Sequence, residues 1–116
     1  MNFEEMSEQE ILDVAAPIMD NLMDASTIID HETHVRDFTE RMKEIVTKDY
    51  LREVCEHYQA EKGFFTNREI VAVFRRPNSA AIIWRQQFSK VKGDYVAEMV
   101  LVYQDGKLLC DHVMVF

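Results

Sequence analysis

The hydrophobic period of the chain changes once, near Phe64, and that change limits the possible folds more than any other feature. Before it, apolar residues recur every three or four positions, as on one helix face. After it they alternate, as in strands. Four strand-like runs follow, Arg68–Arg76, Ala80–Ser89, Tyr95–Gln104 and Lys107–Phe116, broken at Pro77-Asn78, Lys92-Gly93 and Asp105-Gly106. Breaks this short leave no room for the crossover of a dozen or so residues that parallel pairing needs, so the strands form an antiparallel meander. Asp-Gly is a strong signal for a two-residue hairpin turn.

Three helices are expected ahead of the strands, over about residues 7–61. Ser7-Glu8-Gln9-Glu10 is a capping box, with Glu10 reaching back to Ser7. Ile11, Ala15, Ile18 and Leu22 follow on one face, widened by Leu12, Met19 and Met23, and Pro17 is expected to kink the helix or delay its start. Ala25 to Asp30 reads as a connection. Asp30 can cap a second helix running to about Val46, on the spacing of Val35, Phe38, Met42 and Ile45. Thr47 caps a third, with Tyr50, Leu51, Val54, Cys55 and Tyr58 as its apolar stripe and Gly63 as its stop.

Turn geometry sets register, and register sets which side chains share a face. Asp105-Gly106 at the turn centre pairs Tyr103 with Leu108, Leu101 with Cys110 and Met99 with His112. Lys92-Gly93 at the centre of the preceding turn pairs Phe88 with Ala97, Gln86 with Met99 and Trp84 with Leu101. One face then carries Trp84, Gln86, Phe88, Tyr95, Met99, Tyr103, His112 and Met114, an aromatic and methionine-rich surface with Gln86 and His112 as its polar members. The other carries Ile83, Arg85, Glu98, Val100, Val102, Asp111 and Val113. A solvent-facing sheet is mainly polar, and this second face is not. Three helices are few for two faces, so a homodimer through the valine face is expected, with Arg85, Glu98 and Asp111 giving it specificity.

At 116 residues one domain spanning 1–116 is expected. The net charge of 13 − 21 = −8 argues against nucleic acid, whose phosphates need clustered Lys and Arg. No apolar run is long enough to cross a membrane. The acidic opening has no signal-peptide core, and the two cysteines, Cys55 and Cys110, form no metal or redox spacing. A cytoplasmic protein with free thiols and no cofactor is therefore expected.

Three helices ahead of a curved four-stranded antiparallel meander make an α+β chain that resembles the NTF2-like superfamily, the cystatin-like cone. The helix–link–helix run Phe38 to Glu53 and the closing pattern Val100 to Leu108 strengthen that resemblance. It implies a pocket between the helices and the concave face, and frequent dimerisation through the convex face. The superfamily contains isomerases, dehydratases and cyclases alongside binding, accessory and immunity modules, so fold does not choose function.

For an apolar small-molecule pocket, Trp84, Gln86, Phe88, Tyr95, Met99, Tyr103, His112 and Met114 are the expected lining. His112 is the candidate general base, helped by Tyr50 or Tyr95. However, no carboxylate shares its face, and Asp111 points away by strand alternation, which leaves the machinery incomplete. Asp30-His31-Glu32-Thr33-His34 is read as an exposed, capped helix start, with no metal site. His57 is read as a solvated-face residue, and Arg75 and Arg76, at a turn of the only basic concentration, as solubilising edge residues. The first functional reading is a non-catalytic homodimeric binding or accessory protein with a pocket for a small hydrophobic ligand. The alternatives are a small isomerase, dehydratase or cyclase using His112, and an acidic immunity- or inhibitor-type module.

Overall fold

The computed structural model describes residues 2–116. A short 3-10 turn at Phe3–Glu5 precedes α1 (Glu8–Ile28), α2 (His31–His34), α3 (Glu40–Ile45) and α4 (Lys48–Lys62). One antiparallel sheet follows, β1 (Phe65–Arg75), β2 (Ser79–Phe88), β3 (Tyr95–Gln104) and β4 (Lys107–Val115), in spatial order β1-β2-β3-β4. The fold class is α+β, as expected. None of these helices is long and apolar enough to cross a membrane.

The predicted caps form. Ser7 and Glu10 make the reciprocal capping box, Thr47 accepts from the Tyr50 amide, and α4 stops at Gly63 with φ 83°. A Cβ at Gly63 would sit 2.3 Å from Ser89 Oγ, so both the backbone angle and the approach of the β2–β3 loop require glycine.

Helix α1 differs from expectation by running straight through the predicted connection. Ala25 and Ser26 continue the buried stripe of Leu22 and Met23, and Thr27 Oγ1 donates back to Met23 O at 2.8 Å. Burial of that extra turn outweighs the weak helix preference of Ser and Thr. The helix ends where Ile29 turns left-handed at φ 54° and the Asp30 amide donates to Ala25 O. Pro17 is exposed inside the helix, so the carbonyl it leaves unpaired can face water.

The predicted second helix is broken into α2 and α3. Between them Phe38 is buried and forms a parallel bridge with Cys110, and the Cys110 amide donates to Asp37 O at 2.8 Å. Thr39 then restarts the helix by accepting from the Met42 amide. An unbroken helix would satisfy the same apolar spacing but would leave this part of the edge of β4 unpaired.

In the sheet, one predicted register holds at the turn and fails beyond it. Asp105 (φ 52°) and Gly106 (φ 77°) make a hairpin turn with both central residues left-handed, and Tyr103–Leu108 and Leu101–Cys110 pair as expected. A bulge then intervenes: Val100 pairs with His112, and Met99 with Val113 rather than His112. Asp111 is held out of register by Thr39 Oγ1 at 2.7 Å and Arg41 Nε at 3.1 Å. The shift turns His112 and Met114 to the outer face and brings Val113 and Val115 against the core, which favours the apolar pair inside.

The β2–β3 pairing also differs. The pairs are Gln86–Tyr95, Trp84–Ala97 and Ile82–Met99, four residues from the predicted register, around a longer loop instead of a two-residue turn. The loop is fixed elsewhere, with Ser89 N donating to Phe64 O and Lys90 N to Lys62 O. An even slide keeps every side chain on its predicted face. The inner face, Ala80, Ile82, Trp84, Ala97, Met99, Leu101 and Cys110, packs on Phe3, Ile11, Ala15 and Met19 in one core. The outer face, including Ala81, Ile83, Val100, Val102 and Leu109, remains part-exposed.

Candidate functional site

An apolar stripe on a helix must meet something, and along α4 it meets space. A cleft of about 330 Å³ lies between α1, α3 and α4 on one side and β4 on the other. Its volume is at the small end of the roughly 300–1,000 Å³ of small-molecule sites. Met19, Leu22, Met23 and Leu51 are among its buried walls, whereas Ile45, Tyr50, Val54 and Met114 are exposed along it.

A few polar groups interrupt the apolar wall. Ser26 Oγ lies 2.7 Å from Tyr58 OH and 3.2 Å from Cys55 Sγ, tying α1 to α4. Burial raises the Tyr58 and Cys55 pKa values, so Cys55 is a thiol rather than a ready thiolate nucleophile. Burial also pushes Cys110 up to about 12. Both cysteines are free.

His34 is the most unusual group in the wall. It is 8% exposed, its ring packs edge-on to Phe38 at 5.4 Å, and its Nδ1 has no hydrogen-bond partner among the described residues. Burial lowers its pKa to about 4, with the charge of His31 adding to the shift, so the ring is neutral at pH 7. An unpaired buried polar atom costs free energy, and His34 carries that cost in the wall beside Phe38.

The charged groups of the wall are Arg41 and Lys62, and no Asp or Glu lines it among the described residues. Arg41 is engaged by the Asp111 carboxylate and main-chain carbonyl. Asp111 is correspondingly lowered in pKa: the Thr39 and Arg41 hydrogen bonds and the Arg41 charge outweigh the opposing effect of its burial, the largest single influence.

The sequence-predicted pocket residues separate. Phe88 lines the cleft, His112 and Met114 border it from the outward side of the edge strand β4, and Tyr50 lies on its exposed rim. Trp84, Gln86 and Met99 are sealed in the core, away from it. Tyr95 stands edge-on to Phe88 at 5.2 Å, and Tyr103 is exposed near the last turn. Gln86 Nε2 donates to Gln87 O and Asn67 O, while its Oε1 has no partner among the described residues. The expected row joining Gln86, Met99 and His112 does not form, because the loop and the bulge move both registers.

The bulge also gives His112 the carboxylate that alternation denied it. Its Nε2 is 2.6 Å from Glu98 Oε2. Asp111 does not pair with it and turns to Thr39 and Arg41. Of the predicted interface set, Ile83, Arg85, Glu98, Val100 and Val102 lie on the outer face, but Val113 is turned inward and Asp111 is taken by α3. Arg85 pairs with Asp94 at 3.3 Å and Glu69 at 3.8 Å, not with Glu98 or Asp111.

Asp30 caps α2 as expected, accepting from the Thr33 amide and hydroxyl, and His31 Nε2 lies 2.7 Å from Val46 O. His34, read from the sequence as part of an exposed helix start, is buried instead. Nothing local to His34 signals this, since it depends on the left-handed turn at Ile29 folding α2 back against α1, where Asn21 Nδ2 donates to Thr33 O at 3.0 Å. Ser26, Cys55, Tyr58 and Lys62 were also missed. The signal was present in the α4 stripe, because Leu51, Cys55, Tyr58 and Lys62 recur every three or four residues.

No family model matches the sequence, and no curated protein matches it. Solved structures do match in shape. An NTF2-like protein of unknown function from Methylobacillus flagellatus KT aligns over 99% of this chain and 97% of its own, with TM-score 0.62 and 11% identity. A variant chain named Rd1NTF2_05 aligns over 90% and 97%, with TM-score 0.62 and 12% identity. A SEC-C motif containing protein from Rhodopseudomonas palustris aligns over 89% of each chain, with TM-score 0.56 and 12% identity. Identity this low speaks for architecture alone, and the architecture of this chain is NTF2-like.

Proposed function

We propose that the chain is a non-catalytic NTF2-like binding module of the cytoplasm that takes a small hydrophobic ligand in the cleft beside α4. The observation that carries this reading is the apolar cleft with the unpartnered, buried His34 in its wall. Apolar walls with a few placed polar groups are the usual make-up of a small-molecule site. The test is a titration with 1-decanol, followed through ¹³C-labelled methionine methyl groups. Met23, Met42 and Met114 line the cleft and Met99 does not. Saturable shifts in the first three that spare Met99 support the reading; no saturable shift overturns it.

The same module is proposed to pair through its outer sheet face, where Ile83, Val100 and Val102 form an apolar surface that the chain itself leaves part-exposed. Light scattering distinguishes a monomer of 13.7 kDa from a dimer of 2 × 13.7 = 27.4 kDa. A monomer at micromolar concentration removes this part of the proposal.

The His112–Glu98 pair favours a second reading, a small isomerase or dehydratase with His112 as base. Its Glu98 partner is not among the cleft residues, which ranks it below the binding reading. A turnover lost on His112→Ala would reverse that order.

A further inference from the structure

The chain carries 21 acidic residues, yet the cleft wall contains none of those described and two cations. One of the cations, Arg41, is neutralised by Asp111. The other, Lys62, has no ion pair among the described residues. Its ammonium sits 5.0 Å from the Tyr95 ring centre and 5.7 Å from that of Phe88. Those rings belong to an aromatic group completed by Tyr58 and Phe65, with ring centres 4.9–6.2 Å apart. The last turn of α4 favours a cation in general, because unpaired helix carbonyls point there. That accounts for a lysine at the helix end but not for its place in an apolar, aromatic wall.

From this arrangement we infer that the cleft selects an anionic amphiphile, an aliphatic chain ending in a carboxylate, with the carboxylate paired to the Lys62 ammonium. The inference rests on the cleft being a ligand site, as proposed above. The rings hold the ammonium by cation–π attraction and lower the dielectric around it, so an ion pair there counts for more than one in open water. A cationic headgroup would meet Lys62 already occupying the aromatic surface. Inorganic anions gain no apolar burial and meet a chain of net charge −8, so the aliphatic tail is needed for binding.

Calorimetry at pH 7 with decanoate, 1-decanol and decyltrimethylammonium tests the headgroup at constant chain length. Decanoate is expected to bind about tenfold or more tighter than decanol, the scale of a charge-assisted hydrogen bond. Lys62→Met is expected to erase that margin, and a cooperative urea unfolding transition like that of the parent chain shows that the variant is folded. Lys62→Arg should retain the margin. Equal or tighter binding of decanol or of the ammonium compound overturns the anion inference while leaving the cleft as an apolar site. A decanoate preference that survives Lys62→Met overturns the assignment to Lys62. Failure of all three to bind overturns the cleft reading and this inference together.

Discussion

Helices α1 and α4 both show an apolar face to the same sheet, but they end in different surroundings. Eight of the 21 residues of α1 are buried, from Ile11 to Ser26. In α4 only Leu51 and Cys55 of 15 are buried, and Tyr50 and Val54 on the same stripe are 47% and 44% exposed. The helical period is equally clear in both. Periodicity therefore reports which way a helix faces and says nothing about whether the space in front of it is filled. Filled space under α1 makes core, and unfilled space beside α4 makes the cleft.

The sharpest break of that comparison is a truncation on each side. Ile11→Ala, at a fully buried position, should cost about 2–5 kcal/mol in urea unfolding. Val54→Ala on the cleft rim should stay within about 0.5 kcal/mol. Similar costs at the two positions would mean that the cleft is closed in solution.

A smaller effect tests the cleft wall itself. His34 has its pKa lowered to about 4 in the folded chain from an ordinary value of 6.5. The unfolded chain therefore binds the proton first as pH falls. Stability should be full above pH 6.5, decline from there toward pH 4, and lose roughly 2–3 kcal/mol to this group. His34→Phe should flatten that part of the stability–pH curve, and an unchanged curve would show that the ring is not buried. At the start of α4, Thr47→Ala removes the cap and should cost about 1 kcal/mol by the same denaturation assay. A much larger cost would mean that α4 is braced more firmly than its exposure indicates.

What could be read from the sequence was set locally. The Ser7 box, the Thr47 cap, the Gly63 stop and the Asp105-Gly106 turn depend on neighbours within a few residues, and each formed. What could not be read was set from a distance. The bulge at Asp111 exists because Thr39 and Arg41, about 70 positions earlier in the chain, hold its carboxylate. The β2–β3 loop lengthens because Phe64 and Lys62 claim Ser89 and Lys90. Alternation survives a shift of an even number of residues and fails at a single inserted one. Thus Trp84, Phe88 and Met99 kept their predicted face while His112 and Met114 changed theirs. The residue pattern did not separate core from a cleft against the sheet, which only the resemblance implied. The true lining of that cleft, moved from the sheet centre to α4 and β4, was not legible, because the filling of the centre is decided by α1.

The placement of Trp84 has a consequence for how this molecule reports on itself. It is the chain's only tryptophan, and it lies in the packed half, with the Arg68 guanidinium 5.6 Å from its ring centre. Its emission should shift sharply to the red when the core opens and stay nearly constant while the cleft fills. Two of the four tyrosines, Tyr50 and Tyr58, stand in the cleft wall. The protein thus carries two separate intrinsic fluorophore sets: indole light for the integrity of the core, and phenol absorbance for what enters beside α4.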